Sequence, residues 1–346
     1  MKKIISVLAG AAMAMSLVGC SSGSSKSDFD PIAEFGSDEL YVFNVGEYID
    51  EENITKFEEK YNVTVYYKTY DSNEEMYTAI VGGDKYDIVV PSDYMVTRLI
   101  NEGLVQELDL SLIPNAANLT ENLQSPEYDP DHTYSIPYFQ GSVGICYDTT
   151  KFTLEELEEQ GWNILKNTDY AGEIAMYDAD RDNFLPAMKA LGYSMNTTND
   201  DEIQACYEWL LEQKELVNPA YVTDEINDIM IDGGKTLAVV YSGAAAYIMA
   251  ENEDMGYFEP LEGTNVWSDA MCIPSTSENV KLAHAWINFM LEEDVAEANA
   301  IAVGYTSNLQ SVIDKLTAEG GEFEGNSAYI PVQDMTRMNP ITMITL

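Results

Sequence analysis

Three carboxylates stand at alternate positions in the segment DADRDNF, which covers residues 178–184. Asp178, Asp180 and Asp182 could ligate a calcium ion, act as a catalytic acid pair, or hold a cationic ligand. Each of these chemistries uses closely spaced carboxylates. The segment alone therefore leaves all three open, and the rest of the chain must decide.

The calcium interpretation meets two mismatches. If Asp178 opened an EF-hand loop, position six would be Asn183 instead of glycine, and position twelve would be Lys189 instead of glutamate. The two histidines, His132 and His284, lie outside any HExxH motif. A carboxylate pair of the glycosidase type stays open beside the cation-binding interpretation.

The net charge of the chain limits the classes of partner that it can attract. Its 346 residues include 17 Lys and Arg against 60 Asp and Glu, which gives a formal charge of −43. Such a field repels nucleic acids and anionic membranes and attracts small cations. We therefore expect no nucleic-acid partner. The length suffices for one large or two medium folded domains.

The N-terminus carries a targeting pattern. Lys2 and Lys3 precede the apolar stretch IISVLAGAAMAMSLV, which is shorter than a typical membrane-spanning helix. The stretch ends in LVGC, which resembles the lipobox of bacterial lipoproteins. That resemblance implies cleavage before Cys20, a lipid on this cysteine, and a place outside the cytoplasmic membrane, at the cell surface or in the periplasmic space. We expect a flexible tether over residues 21–37, because a Ser/Gly-rich segment follows.

The body of the chain alternates between strand and helix patterns. LYVFN, VTVYYKTY and YDIVVPS are typical of strands, and a segment with helical spacing follows each of them. A second alternating run begins at Gly141 and a third at Trp267. This order predicts an α/β fold with two lobes, each a doubly wound, mostly parallel sheet flanked by helices. Ligands in such sheets bind outside the carboxyl ends of the strands.

Three further cysteines, Cys146, Cys206 and Cys272, lie in apolar contexts and lack CxxC spacing. An odd number cannot be paired completely within the chain. We therefore expect buried thiols and no disulfide framework.

Several segments, in chain order, resemble the spermidine/putrescine-binding proteins of bacterial ABC importers. FNVGEY is similar to the first-strand motif of that family, YDIVVPSDYMV to its third strand, and YSIPYFQGSVGICYD to its first hinge crossing. DADRDNF with the later run LGYSMNTT resembles its carboxylate turn and helix, and WSDAM and GYTSN resemble later site segments. Any one match is weak, but their common order over nearly the whole mature chain is specific.

This resemblance implies a two-lobed fold of the periplasmic-binding-protein type (type II) with the ligand cleft between the lobes. It implies a signal peptide at 1–20, one lobe from 38–140 with 271–312, and another from 141–270 with 313–346. The lobes would close about crossings near residues 138–144 and 267–274. The protein would be a monomeric solute-binding lipoprotein, without enzymatic activity, cofactor or metal. It would deliver a polyamine (putrescine, spermidine or both) to an ABC transporter permease.

The ligand-binding residues of the family map onto nine positions here: Tyr48, Ser92, Tyr94, Asp178, Asp182, Tyr241, Trp267, Asp269 and Tyr305. Asp269 matches the anchoring aspartate and Trp267 the stacking tryptophan. Asp182 stands where a glutamate is usual, and Asp178 lies near the first carboxylate, with Asp180 as the alternative register. Carboxylates can pair with ammonium groups while aromatic faces cover the methylenes between them. On this interpretation DADRDNF is one half of a cation clamp.

Two departures leave the preferred polyamine open. Val45 replaces a tryptophan of the first-strand motif, and Tyr241 stands where another tryptophan is common. The chain also ends in MNPITMITL instead of the polar amphipathic segment of the family. The alternatives are a protein of the same fold that binds another small cation or ferric ion, and a secreted hydrolase that uses Asp178 with Asp182 or Asp269.

Overall fold

The computed structural model describes residues 29–223 and 225–329, and for residues 180, 181 and 338–340 it describes the backbone alone. The predicted signal peptide, Cys20 and the first part of the tether lie outside the described residues. The lipid anchor therefore stays a prediction.

The described chain alternates strands and helices. The strands are β1 (Glu39–Val45), β2 (Thr64–Tyr70), β3 (Ile88–Val89), β4 (Ser135–Asp148), β5 (Ile174–Tyr177), β6 (Ala220–Val222), β7 (Leu237–Tyr241), β8 (Met255–Phe258), β9 (Thr264–Cys272), β10 (Thr306–Ser307) and β11 (Met338–Pro340). The α-helices are α1 (Pro31–Phe35), α2 (Glu51–Tyr61), α3 (Asn73–Gly82), α4 (Asp93–Asn101), α5 (Leu154–Gln160), α6 (Asp180–Ala190), α7 (Asp200–Val217), α8 (Glu225–Ile231), α9 (Ser242–Glu251), α10 (Val280–Met290), α11 (Glu293–Val303) and α12 (Gln310–Thr317).

The first lobe is built on the parallel strands β2, β1 and β3, in that order. The helix that follows β1 has local start and stop signals: the Asp50 carboxylate accepts a hydrogen bond from the Glu52 amide, and Asn62 ends α2 in the left-handed conformation. On its buried face, the ring of Phe57 meets that of Trp286 edge to face at 4.9 Å. The predicted β-α-β-α-β-α order is confirmed here.

The second lobe is built on the parallel strands β6, β5 and β7. Its core contains the fully buried side chains of Trp162, Leu185 and Cys206. The strand and helix segments predicted after Gly141 correspond to β5, α6, α7 and β7. The second alternating run is therefore also confirmed.

Two long strands, β4 and β9, belong to both lobes, and we call them the crossing strands. They pair antiparallel with each other, while β4 also pairs antiparallel with β7 and β8, and β9 with β3. The centre of the sheet is thus antiparallel, unlike the mostly parallel sheet that we expected. A chain that leaves the first lobe on one strand and returns on another must reverse its direction.

The predicted hinge segments and lobe boundaries fall on these strands. The pairing of β4 with β9 has a register irregularity between Pro137 and Phe139, at the start of the first predicted hinge. The expected boundaries at residues 140/141 and 270/271 lie within β4 and β9. The assignment of each segment to a lobe stays a prediction.

At both ends of the described chain the structure contains elements that the sequence did not predict. The predicted tether extended to residue 37, but α1 already begins at Pro31, and the rings of Phe29 and Phe35 contact Tyr61 at 5.6 and 5.7 Å. These aromatic rings bury surface that the preceding Ser/Gly residues lack, so the chain folds earlier than expected. Near the other end, β11 runs parallel to the first residues of β9.

The three cysteines within the described ranges, Cys146, Cys206 and Cys272, are buried free thiols, as predicted. Burial raises the pKa of the Cys146 thiol to about 12. Across the residues that the structure describes, none of the helices has the length and apolar character to cross a membrane.

Candidate ligand-binding site

A cavity of about 310 Å³ lies between the lobes, against the crossing strand β9. Its walls come from the ends of β1, β2 and β7, the first turns of α4 and α6, and the residue before β10. Carboxyl ends of strands are a usual place for ligands in α/β sheets. The lining residues are Val45, Tyr48, Tyr70, Asp71, Ser72, Asn73, Ser92, Tyr94, Asp182, Tyr241, Asn265, Trp267, Asp269 and Tyr305.

Asp269 is the most buried carboxylate of the cavity, with 7% of its surface exposed. Its Oδ2 accepts a 2.5 Å hydrogen bond from the hydroxyl of Tyr48. Burial raises the pKa of the Asp269 carboxyl to about 6, against the opposing effect of the Tyr48 hydroxyl. Asp269 is therefore ionised at neutral pH in a place where burial makes the charge costly.

The second oxygen of Asp269 has no hydrogen-bond partner among the described residues. The same holds for Nε1 of Trp267 and Oδ1 of Asn265, which lie two and four residues earlier on β9. Alternate residues of a strand face the same side, and all three line the cavity. A buried polar atom without a partner costs about 1–3 kcal/mol. This row of three atoms is suited to a polar ligand.

Asp182 enters the cavity from the second lobe, in the first turn of α6. Its Oδ2 accepts a 2.8 Å hydrogen bond from the hydroxyl of Tyr241. Burial raises the pKa of Tyr241 well above its ordinary value, and the charge of Asp182 raises it further. Tyr241 is therefore a neutral donor that fixes the carboxylate, a role that the resemblance to the family did not suggest for this position.

Aromatic rings form the middle of the cavity. The rings of Trp267 and Tyr305 meet edge to face at 4.8 Å, and Tyr48 lies edge-on to Tyr305 at 5.9 Å. Two glycines make room for them: a Cβ on Gly141 would lie 2.4 Å from the ring of Trp267, and one on Gly243 would lie 2.4 Å from the ring of Tyr305. Aromatic faces held in this way can cover methylene groups and attract cations.

Ser92 and Tyr94 form the edge of the cavity at the start of α4. Ser92 makes a β-bridge to Asp269, and it exchanges two hydrogen bonds with the Asn73 side chain, at 3.0 and 3.1 Å. The hydroxyl of Tyr94 donates a 3.0 Å hydrogen bond to Glu74. These contacts hold this edge in place from the first lobe.

The cavity brings together the residues predicted from sequence, with the exception of Asp178. Asp178 is exposed, and its backbone N–H donates a 2.8 Å hydrogen bond to the Val222 carbonyl at the end of β6. Because α6 begins only at Asp180, the turn places Asp178 outside the cavity while Asp182 lines it. For Asp180, the alternative register, the structure describes the backbone alone.

Six lining residues were not among the predicted ligand contacts: Val45, Tyr70, Asp71, Ser72, Asn73 and Asn265. Val45 had been identified only as a departure from the family motif. Residues 70–73 surround the carboxyl end of β2, so the strand-end rule could have selected them. Asn265 could have been found from its spacing, because it precedes Trp267 and Asp269 by steps of two in a strand.

The charges of the lining favour a cationic ligand. Asp71, Asp182 and Asp269 contribute carboxylates, while the described lining residues include no lysine or arginine. An ion of opposite charge would offset the burial cost of Asp269 and could use its unpaired oxygen. The arrangement can therefore hold ammonium groups or another compact cation.

The chain is similar to bacterial solute-binding proteins of transport systems. Residues 52–324 match a family model described as bacterial extracellular solute-binding protein. The chain is 33% identical over 276 residues to the spermidine/putrescine-binding periplasmic protein of Salmonella typhimurium. The aligned region covers 79% of this chain and 78% of that protein.

Solved structures show the same two-lobed fold. The spermidine/putrescine ABC transporter substrate-binding protein PotD of Streptococcus pneumoniae is 34% identical with a TM-score of 0.77, covering 89% of this chain and 94% of that one. The Tp0655 (TpPotD) lipoprotein of Treponema pallidum is 28% identical with a TM-score of 0.75, covering 88% and 94%. The predicted two-lobed α/β fold is confirmed.

Proposed function

The chain belongs to the spermidine/putrescine-binding family of bacterial extracellular solute-binding proteins, and from this premise we propose that it captures a polyamine in the cavity between its lobes. Putrescine, spermidine or both would be bound outside the cytoplasmic membrane and passed to the permease of an ABC importer. A lipid on Cys20 would hold the protein, as a monomer, at the cell membrane. The relatives are transport proteins, not enzymes.

The observation that carries this proposal is the state of Asp269. Its carboxylate is buried, one oxygen is bound by Tyr48, and the other has no partner among the described residues. A primary ammonium group has donors for that oxygen and a charge that offsets the burial cost. Leaving such a buried charge uncompensated costs several kcal/mol, of order 3–5. A ligand that supplies the ammonium recovers much of that cost on binding.

The remaining lining matches the rest of a polyamine. The rings of Tyr48, Trp267 and Tyr305 cover methylene groups and add cation–π attraction of about 0.5–2 kcal/mol each. Asp182, held by Tyr241, supplies a second anionic group from the other lobe. A micromolar dissociation constant needs only about 8 kcal/mol net. Two anchored ammonium groups and one aromatic wall are sufficient for that affinity.

Isothermal titration calorimetry tests the proposal. The full chain, purified in mild detergent because of its apolar N-terminal stretch, is titrated with putrescine, spermidine and cadaverine at pH 7.5. We expect saturable one-to-one binding of at least one amine. The Asp269→Asn variant should lose at least ~100-fold in affinity, since the ammonium loses its charged partner.

The matched control is Asp232→Asn, which changes an exposed carboxylate outside the cavity and should bind like the wild type. Folding of every variant is checked by thermal melting. Absence of heat with all three amines, in protein that melts cooperatively, would reject a polyamine as the ligand. Equal affinity of Asp269→Asn and wild type would reject Asp269 as the anchor.

A further inference from the structure

Three polar side chains of β9 face the cavity in one row: Asn265, Trp267 and Asp269. Asn265 is 6% exposed, and its amide oxygen has no hydrogen-bond partner among the described residues. Asp269 and Trp267 are accounted for by the ammonium and methylene groups of a polyamine. The proposed function leaves Asn265 without a role, although its oxygen is as buried as the free oxygen of Asp269.

The spacing of this row suggests that role. Asn265 and Asp269 are four positions apart along the strand, which places their Cα atoms about 13 Å apart. An extended diamine with four methylenes, such as putrescine, measures about 6 Å between nitrogens, and spermidine measures about 11 Å end to end, taking about 1.2 Å per bond from an extended backbone. Because side chains on one face of a strand project side by side, the two acceptors lie about as far apart as their Cα atoms, and only the longer amine approaches the length of the row.

The chemistry of the acceptor fits the far end of such a ligand. An amide oxygen accepts a hydrogen bond from an ammonium group, and a bond to a charged donor is stronger than one between neutral groups. Trp267 lies between the two acceptors, where its indole would cover the methylene chain. The row thus offers a charged anchor, an apolar face and a neutral acceptor in the order in which an extended amine presents its parts.

We propose that Asn265 is a specificity residue that recognises ligand length: its amide oxygen accepts a hydrogen bond from the far ammonium group of an extended amine whose near ammonium group is held by Asp269. This inference rests on the proposed function and refines it. A triamine of the length of spermidine uses both acceptors, and a short diamine held by Asp269 leaves Asn265 unpaired. The protein therefore prefers the longer amine.

The test compares three ligands by calorimetry on the full chain: putrescine, spermidine and 1,8-diaminooctane. The last compound has the end-to-end bond count of spermidine but lacks the middle nitrogen, so it separates length from charge number. In the wild type we expect both long amines to bind more tightly than putrescine. Asn265→Leu should weaken both long amines at least ~10-fold, the usual effect of losing a hydrogen bond to a charged group, and putrescine less than threefold.

Two further variants test the role of Asn265. Asn265→Asp places a carboxylate at the same point and should strengthen the binding of the long amines, about tenfold. Asn101→Leu removes an exposed amide at the end of α4, outside the cavity, and should change none of the three affinities. Because the putrescine titration also reports whether the variant is folded, a loss limited to the long amines cannot come from misfolding.

The outcomes separate the two proposals. If the wild type binds an amine but Asn265→Leu weakens all three ligands equally, or none of them, the role of Asn265 is rejected and the polyamine function stands. If the wild type binds no amine, the polyamine function is rejected and the length recognition with it. A wild type that prefers putrescine over both long amines also rejects the role of Asn265.

Discussion

Asp182 and Asp269 are held in the same way from different parts of the fold: each accepts a hydrogen bond through Oδ2 from a tyrosine hydroxyl, at 2.8 and 2.5 Å. Asp269 belongs to a crossing strand, and Asp182 belongs to the second lobe. Each tyrosine fixes one carboxylate oxygen and orients the other. The cavity therefore presents oriented anionic groups before any ligand enters, which lowers the ordering cost of binding.

Ligand affinity should fall in acid. Burial raises the pKa of Asp269 to about 6, and an ammonium group is attracted to the ionised form. Below pH 6 each unit of pH should therefore weaken binding about tenfold, because a proton must be displaced. Calorimetry between pH 4.5 and 8 measures the slope, and Asp269→Asn should bind weakly with no step near pH 6. A wild-type affinity that is constant down to pH 4.5 would contradict this assignment.

Without ligand, Asp269→Asn should be more stable than the wild type at neutral pH. A carboxyl whose folded pKa is raised stabilises the protein fully below its ordinary pKa of 3.8, and this stability is lost as the pH rises through about 6. The asparagine does not titrate, so its advantage at pH 7.5 should reach roughly 3 kcal/mol and vanish near pH 4. Urea unfolding at both pH values measures the difference. An equal advantage at both would mean that charge is not its cause.

Tyr48→Phe should shift the pH dependence of binding upward. The Tyr48 hydroxyl lowers the pKa of Asp269, so its removal raises that pKa above about 6. At pH 6 the affinity should drop about tenfold, with partial recovery at pH 8. Tyr247→Phe is the matched control, because Tyr247 is 50% exposed and does not line the cavity. An unchanged midpoint in Tyr48→Phe would show that the hydroxyl does not tune the carboxyl.

Gly141→Ala should displace Trp267 from the cavity. The added Cβ would lie 2.4 Å from the indole and 3.0 Å from Oγ of Ser242, so the ring must move. We expect a destabilisation of about 1–3 kcal/mol and at least a tenfold loss of affinity. Gly82→Ala adds the same methyl group where no atom lies within 4 Å, and it should leave binding unchanged. Equal ligand affinity of the two variants would show that the Trp267 indole does not contact the ligand.

Glu259→Gln should stabilise the protein at alkaline pH without changing affinity. The Ser142 hydroxyl donates to Oε1, Oε2 has no partner among the described residues, and burial raises the pKa of Glu259 to about 7. The stabilising effect of the protonated form is complete below pH 4.5 and is lost as the pH rises through 7. The variant should therefore gain roughly 2–3 kcal/mol at pH 8 and nothing at pH 4. Affinity should not change, since Glu259 does not line the cavity.

The sequence was sufficient to predict the elements that local patterns encode. The apolar runs of β1, β2 and β7 and the helical spacing of α2 and α10 gave the correct elements. The resemblance of WSDAM to a site segment of the family selected Trp267 and Asp269, and both line the cavity from the middle of β9. Pairing between distant strands is not a local property, so the antiparallel centre formed by β4 and β9 could not be deduced from periodicity.

Asp178 and Asn265 show why the sequence did not predict every residue of the candidate site correctly. Asp178 and Asp182 lie in one short segment, and which of them lines the cavity depends on the residue at which α6 begins. Helix ends are uncertain by one or two residues from sequence, and one residue of helix rotates a side chain by about 100°. Asn265 was missed for a different reason: its significance comes from an amide oxygen without a partner, which only the surrounding packing defines.

The polar row of β9 lies on the strand that joins the lobes. Any change in the angle between the lobes must alter the twist of β4 and β9, and the positions of Asn265, Trp267 and Asp269 shift with it. The strand that carries the ligand-facing row is therefore also one of the two strands that connect the lobes.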